Sequence, residues 1–139
     1  ESFPAYEPIP VPEPGKFRLV TGRTALHTHV STQNVEYLNE LCGENLLWIN
    51  AGKAAELGIA DRAMVEIASS RHSGKMRVHV TDLIHPDCVF LLHGFGHQAK
   101  RAERSYNKGV SDAALQENIY DKVGGSPAYH DTFVNVKAA

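Results

Sequence analysis

Six short runs of β-forming residues, separated by turn residues, limit the folds that this chain can adopt. Each run is four to seven residues long and either alternates apolar with polar side chains or is apolar throughout, as expected for strands. The helical patterns between them are short and do not alternate regularly with the strands, which argues against a doubly wound sheet. The pattern predicts a mainly β fold with short helices, in a closed or partly closed β-barrel. The predicted strands are 17–21, 46–49, 63–69, 75–81, 88–92 and 132–136.

Two helices are predicted between these strands from apolar spacing and end signals. Segment 33–42 carries apolar residues at helical spacing, with Thr32 as its expected N-cap. Asn50 is expected to cap a second helix over 51–57, which ends before Gly58. Two further segments, 98–106 and 113–119, are expected to be a short basic helix and a helical turn.

Composition excludes several classes of partner. The chain has 139 residues, 42% of them hydrophobic, which suits one domain with its own core. The formal net charge is −2 and there is no Lys/Arg block, so neither nucleic acid nor an anionic membrane is an expected partner. No segment is long and apolar enough to cross a membrane, so direct insertion is not expected.

The first 15 residues differ in composition from the rest. They hold five of the seven prolines and favour an extended conformation. We therefore expect a proline-rich linker or arm over 1–15 and one domain over 16–139. The chain begins without Met or a signal peptide pattern, so we expect it to be a piece of a longer polypeptide. Cys42 and Cys88 lie in apolar surroundings and are expected to be buried free thiols.

The loop after the first strand is the best candidate for a binding site. Thr21, Gly22 and Arg23 end that strand, and strand ends commonly carry ligand contacts. The Arg23 guanidinium suits phosphate, Gly22 permits close approach of a phosphate to the backbone, and a helix starting at Thr32 would favour an anion. The residues alone indicate a binding domain for a phosphate-bearing ligand. An ordinary strand, turn and helix cap remains the alternative interpretation.

Two other motifs allow competing interpretations. His27 and His29 would share a face of a strand and could bind one metal ion, as in a cupin, or could be hydrogen-bonding loop residues. The G-x-G-x-x-A pattern at 94–99 follows a strand, but no ribose-binding acid follows at the distance a Rossmann fold needs. It is therefore interpreted as a glycine turn that packs tightly or lies beside a bound phosphate or ring. No catalytic nucleophile or C-x-x-C pair is evident.

Several motifs taken in order resemble a known family. They are Thr-Gly-Arg at 21–23, H-T-H-x-x-T at 27–32, the segment LWINAGKAAELGIADRAMVEIASS at 47–70 and VTDLIHPDCVFLLHGFGH at 80–97. Over about 17–136 the chain resembles the C-terminal molybdopterin-dinucleotide-binding domain of the dimethyl sulfoxide reductase family. The H-T-H-x-x-T and HGFGH details look most like thiosulfate and polysulfide reductase catalytic subunits.

The resemblance implies a double-psi β-barrel that covers a bis-molybdopterin guanine dinucleotide carrying molybdenum or tungsten. It places no catalytic residue in this chain, because the metal ligand and an iron–sulfur cluster lie elsewhere in the family, so these residues alone are expected to be inactive. Segment 110–115 departs from the Asn-rich stretch of many members, so no cofactor contact is assigned there. The implied cofactor-binding residues are Thr21, Gly22, Arg23, His27, His29, Thr32, His93, Gly94, Phe95, Asn118 and Tyr129.

The resemblance also implies partners and a function. The partners are the preceding domains of the same enzyme, an iron–sulfur electron-transfer subunit and a membrane anchor subunit, in a periplasmic or other extracytoplasmic location. The function is cofactor binding within a molybdenum oxidoreductase that reduces thiosulfate or polysulfide. The alternative is a stand-alone β-barrel protein, such as a metal-binding cupin or a small decarboxylase-like enzyme.

Overall fold

The structure is a computed structural model that describes residues 3, 6 and 8–139. In this part of the chain, six strands and three short helices form, and all six predicted strands are present within two residues of their expected ends. The strands are β1 (Phe17–Gly22), β2 (Leu47–Asn50), β3 (Met64–Ala68), β4 (Ser73–Thr81), β5 (Cys88–Leu92) and β6 (Phe133–Ala138), and the helices are α1 (Glu36–Leu41), α2 (Ala51–Glu56) and α3 (Asp112–Leu115).

The strands close into a barrel in the order β1-β5-β2-β4-β3-β6. The β1·β5 and β2·β4 pairs are parallel and the other four are antiparallel. Closure leaves none of these strands as an open edge. The prediction of a mainly β fold with short helices in a closed barrel is confirmed, while the double-psi form of the crossing stays a prediction.

The barrel interior is filled by alternate residues from every strand, because successive strand side chains point to opposite faces. Most of these side chains are aliphatic and fully buried, and together with Phe17 and Met76 they form one continuous core. Loops that leave the barrel therefore start from a rigid base. The fully buried strand residues are Leu19, Leu47, Ile49, Val65, Ile67, Val78, Val89, Leu91 and Val134.

The helices agree less well with the sequence patterns. The Asn50 cap is confirmed, since its side-chain oxygen accepts hydrogen bonds from the backbone N–H of Gly52 and Lys53. The prediction for 33–42 is wrong at its start: α1 begins at Glu36, and no side chain caps it. Thr32 instead accepts a hydrogen bond from the Thr28 backbone N–H.

Two other helical predictions also need correction. Segment 98–106 forms turns rather than a helix, because the Asn34 side chain accepts from the backbone N–H of Arg104 and Ser105 and holds the chain in a bend. The helical turn expected over 113–119 is α3, which ends at Leu115. None of the three helices in the described residues is long and apolar enough to span a bilayer.

The two cysteines are free but only half-buried, so the prediction of buried thiols is wrong. Cys88 alternates with the inward-facing Val89 on β5 and therefore lies on the outer face of the barrel. Partial burial still raises the pKa of both thiols.

The described part of the expected arm, residues 8–15, contains neither helix nor strand. Its Pro10 carbonyl accepts a hydrogen bond from the Arg18 guanidinium of β1. The rest of the prediction for 1–15 falls largely on residues outside the described part of the chain.

Candidate functional site

The parallel pairing of β1 with β5 brings two loops together at one end of the barrel. Gly22 and Leu92 lie opposite each other at the ends of the two strands, and the His93 N–H donates to the Gly22 carbonyl at 2.9 Å. A cavity of about 350 Å³ opens at this junction. Its lining residues are Thr21, Gly22, Arg23, His29, His93, Gln116, Tyr129 and His130.

The first wall of the cavity is the end of β1. Thr21 and Gly22 are half-buried, and Arg23 is exposed. A Cβ atom on Gly22 would lie 2.7 Å from Cε2 of Phe90 on the neighbouring strand, so close packing against that ring already requires glycine here. The arrangement leaves the Arg23 guanidinium free to reach a bound anion at the mouth of the cavity.

The second wall comes from the loop after β5. His93 Nδ1 lies 2.6 Å from the Asp112 carboxylate oxygen Oδ2, and the Gly94 N–H donates to Oδ1 at 3.3 Å. The Asp112 side chain is only 1% exposed, whereas that of His93 is 38% exposed. Gly94 has φ of +98°, a left-handed conformation that favours glycine. A buried carboxylate therefore anchors His93 at the cavity, while the predicted site residue Gly94 is itself buried and does not line it.

His29 forms the third wall, directly beside His93. The two imidazole rings meet edge to face with their centroids 4.9 Å apart. The His29 backbone is left-handed, with φ of +49°, and its carbonyl accepts a hydrogen bond from the buried Gln33 amide at 3.1 Å. Gln33 thus supports an uncommon backbone conformation that brings His29 to the cavity.

Three predicted site residues lie behind this wall and do not line the cavity. His27 is buried, with Nε2 2.7 Å from the Cys42 carbonyl and Nδ1 3.2 Å from Thr32 Oγ1. Phe95 is also buried, and its ring meets that of His27 edge to face at 5.7 Å. His27, Thr32 and Phe95 therefore fasten the loop that carries His29.

The structure separates the two histidines of the H-x-H motif. His27 is directed into the protein, while His29 faces the cavity, so the shared strand face proposed for a metal pair is wrong. Among residues 3, 6 and 8–139, no three His, Cys, Asp or Glu side chains come close enough to hold a metal ion.

The fourth wall is the loop before β6. Tyr129 and His130 line the cavity from this side, and Tyr129 also lines a second cavity of about 240 Å³ that contains Asn118. Asn118 is thus next to the main cavity but does not line it. Arg18 holds this loop, because its Nη1 donates to the His130 carbonyl at 2.5 Å and to Asp131 Oδ1 at 2.6 Å.

Sequence patterns missed Gln116, His130 and the anchoring Asp112. His130 directly follows the predicted site residue Tyr129, and this position in the sequence could have identified it. Asp112 lies in the segment that was noted only for departing from a family pattern, and nothing local marks it as the partner of a histidine 19 residues earlier.

The complete cavity lining contains a guanidinium, three imidazoles and a phenol hydroxyl, and none of the described lining residues is acidic. Such a set suits a ligand that carries phosphates and a polar ring.

Comparison with known proteins agrees with this chemistry. The sequence model of the family described as "Molydopterin dinucleotide binding domain" matches residues 17–133. The chain belongs to this family. The resemblance to molybdopterin-dinucleotide-binding domains of the dimethyl sulfoxide reductase family is thereby confirmed.

Two curated relatives of this molydopterin dinucleotide binding domain are subunits of larger enzymes. The thiosulfate reductase molybdopterin-containing subunit PhsA of Salmonella typhimurium is 32% identical over 109 residues, which cover 77% of this chain and 14% of PhsA. The arsenate respiratory reductase molybdopterin-containing subunit ArrA of Chrysiogenes arsenatis is 30% identical over 100 residues, which cover 68% of this chain and 12% of ArrA. The domain therefore spans about one seventh of the length of these relatives.

A solved structure supports the fold alone. Acetylene hydratase from Pelobacter acetylenicus superimposes with a TM-score of 0.75 at 12% identity, over 88% of this chain and 18% of that one.

Proposed function

We propose that this domain binds part of a bis-molybdopterin guanine dinucleotide, carrying molybdenum or tungsten, at the cavity between the ends of β1 and β5. The observation that carries the proposal is the cavity lining, which combines Arg23, three histidines and Tyr129 at one barrel end. A cavity of about 350 Å³ is at the small end for ligand sites. It therefore suits one portion of the dinucleotide, and the rest would lie against other parts of the enzyme.

The proposed roles follow from where each residue lies. Arg23 would form charge-assisted hydrogen bonds with a phosphate. Thr21, His29, His93 and Tyr129 would contact the polar rings and the phosphate linkage. Gly22 would shape the wall, and Gly94 would support His93 from behind. Behind them, His27, Thr32 and Phe95 would hold the loop, and Asn118 would act at the edge of the site. The proposal has two further parts. The domain begins at residue 16, and its barrel has the double-psi form.

The metal, when bound, supplies the redox chemistry of the intact enzyme, and this chain's residues bind and orient the organic part of the cofactor.

We infer that the whole enzyme reduces thiosulfate or polysulfide, an assignment supported by the match to PhsA. The similar match to ArrA makes an arsenic oxyanion the competing substrate class. We also infer an iron–sulfur cluster outside this chain, with an electron-transfer subunit and a membrane anchor subunit as partners.

Replacement of Arg23 by Ala in the intact enzyme tests the proposal. Loss of a charge-assisted bond to a phosphate should weaken cofactor binding by about 1.5–3 kcal/mol. Molybdenum or tungsten and released GMP, measured per mole of purified enzyme, should both fall. Arg71→Ala is the matched control, because Arg71 is an exposed arginine in the β3–β4 hairpin.

Full metal and GMP content in the Arg23→Ala enzyme would count against the proposed site. The 139 residues alone should fold without catalysing reduction. Measurable thiosulfate or polysulfide reduction by these residues would contradict a purely cofactor-binding role.

A further inference from the structure

A buried carboxylate behind a partly exposed histidine is the most specific arrangement at this cavity. Asp112 Oδ2 lies 2.6 Å from His93 Nδ1. The second carboxylate oxygen, Oδ1, accepts a hydrogen bond from the Gly94 N–H. Asp112 is the first residue of α3, and Ser111 Oγ caps that helix by accepting from the Ala114 N–H. The carboxylate is therefore fixed from both sides, by its helix and by the two residues it contacts.

This contact determines which nitrogen of His93 carries the proton. An ionised carboxylate is only an acceptor, so the Nδ1 atom facing it must be the donor. In the neutral imidazole the other nitrogen, Nε2, then has a free lone pair. Nε2 lies on the side of the ring away from Asp112, and His93 lines the cavity. With Nδ1 as the donor, a neutral His93 would offer Nε2 as an acceptor to a ligand at this point.

We propose that Asp112 is a positioning residue that holds His93 in its Nδ1–H tautomer, so that Nε2 accepts a hydrogen bond from a ring N–H of the cofactor. This inference rests on the proposed function. It assigns the phosphates and a ring of the cofactor to different residues of the site. Phosphate oxygens have no proton to donate to a neutral His93 and would be bound by Arg23. Both guanine and pterin rings carry N–H donors, and either ring could be the partner.

The tautomer itself can be measured without any substitution. Nitrogen-15 labelling of histidine in the 139-residue chain, recorded where imidazole is neutral, should show His93 with a protonated Nδ1 and an unprotonated Nε2. A protonated Nε2 in the wild-type chain would overturn the proposal. Titration with GDP and, separately, with pterin-6-carboxylate identifies the ring, since only the correct one should shift the Nε2 resonance. If the amide resonances of Thr21 or Arg23 show that both compounds bind, but the Nε2 resonance does not shift, the proposal is also overturned.

Asp112→Asn is a nearly isosteric test of the same idea. The Gly94 N–H needs an acceptor, so the new amide oxygen should remain beside it and the amide nitrogen should face His93 Nδ1. Nδ1 must then accept, and the proton moves to Nε2, where it opposes the ring N–H of the cofactor. We expect about tenfold faster cofactor loss from the intact enzyme, because two donors then face each other without an acceptor.

Asp82→Asn, at an exposed turn position, is the matched control and should retain the cofactor like the wild type. Normal cofactor retention by a folded Asp112→Asn enzyme would show that His93 does not act as an acceptor. That result would leave the proposed function standing if Arg23→Ala still loses the cofactor. Retention by both variants would instead count against the site as a whole.

Discussion

Asn45 links the stability of the barrel to the geometry of the cavity, and its replacement by Ala should be strongly destabilising. The side chain is 1% exposed. Its amide nitrogen donates to the Leu92 carbonyl at 3.0 Å and to the Val110 carbonyl at 2.9 Å, and its oxygen accepts from the Val110 N–H at 3.0 Å. Asn45 thus joins the end of β5 to the residues just before α3, on either side of the loop that carries His93.

The expected loss can be worked out from these three contacts. A buried neutral hydrogen bond contributes about 1 kcal/mol, and Asn45→Ala leaves three backbone groups without their partner, so the loss is about 3 kcal/mol. Domains of this size have total stabilities of about 5–15 kcal/mol. The midpoint of thermal unfolding should fall by roughly 10 °C.

Urea unfolding of the 139-residue chain, followed by far-UV circular dichroism, measures this loss directly. Asn135→Ala is the matched control, since Asn135 is an exposed asparagine on β6, and it should change the free energy of unfolding by about 0.5 kcal/mol or less. If the two variants differ by less than about 1 kcal/mol, the reasoning from buried hydrogen bonds is wrong for this site.

Two further predictions concern the loop before β6. Arg18→Gln should free this loop from β1 and speed tryptic cleavage after Lys122, and an unchanged cleavage rate relative to wild type would refute the role of Arg18. Hydrogen bonds from the Val123, Ser126 and Gly124 N–H groups lower the pKa of Asp121 below its ordinary value of 3.8. Because the folded-state pKa is lowered, this contribution to the turn is present above pH 3.8 and is lost as the pH falls through the folded value. An NMR titration of the carboxyl group with a midpoint at or above 3.8 would contradict this.

Local sequence patterns determined the elements of this protein whose causes are themselves local. The strand from Phe17 and the strand over 88–92 follow from side-chain alternation and apolar continuity, which depend only on neighbouring residues. The α2 cap at Asn50 depends on backbone groups two and three residues away. Family motifs added the cofactor class and named six of the eight residues that line the cavity.

The same local reasoning failed where distant residues compete for the chain. The short basic helix expected over 98–106 does not form, because the Asn34 side chain, about 70 residues earlier, bends the backbone there. Thr32 had the right residue type for a helix cap, but its hydroxyl accepts from Thr28 instead.

The sequence by itself therefore determined the barrel's strands and the family to which the chain belongs. Only the tertiary structure decided which polar residues face the ligand cavity and which support it from behind. The parallel register of Gly22 with Leu92 places His93 beside the end of β1, and the same packing brings Asp112 behind it and His29 against it. These contacts arise when the barrel closes, since closure sets distances between residues that no spacing along the chain can specify.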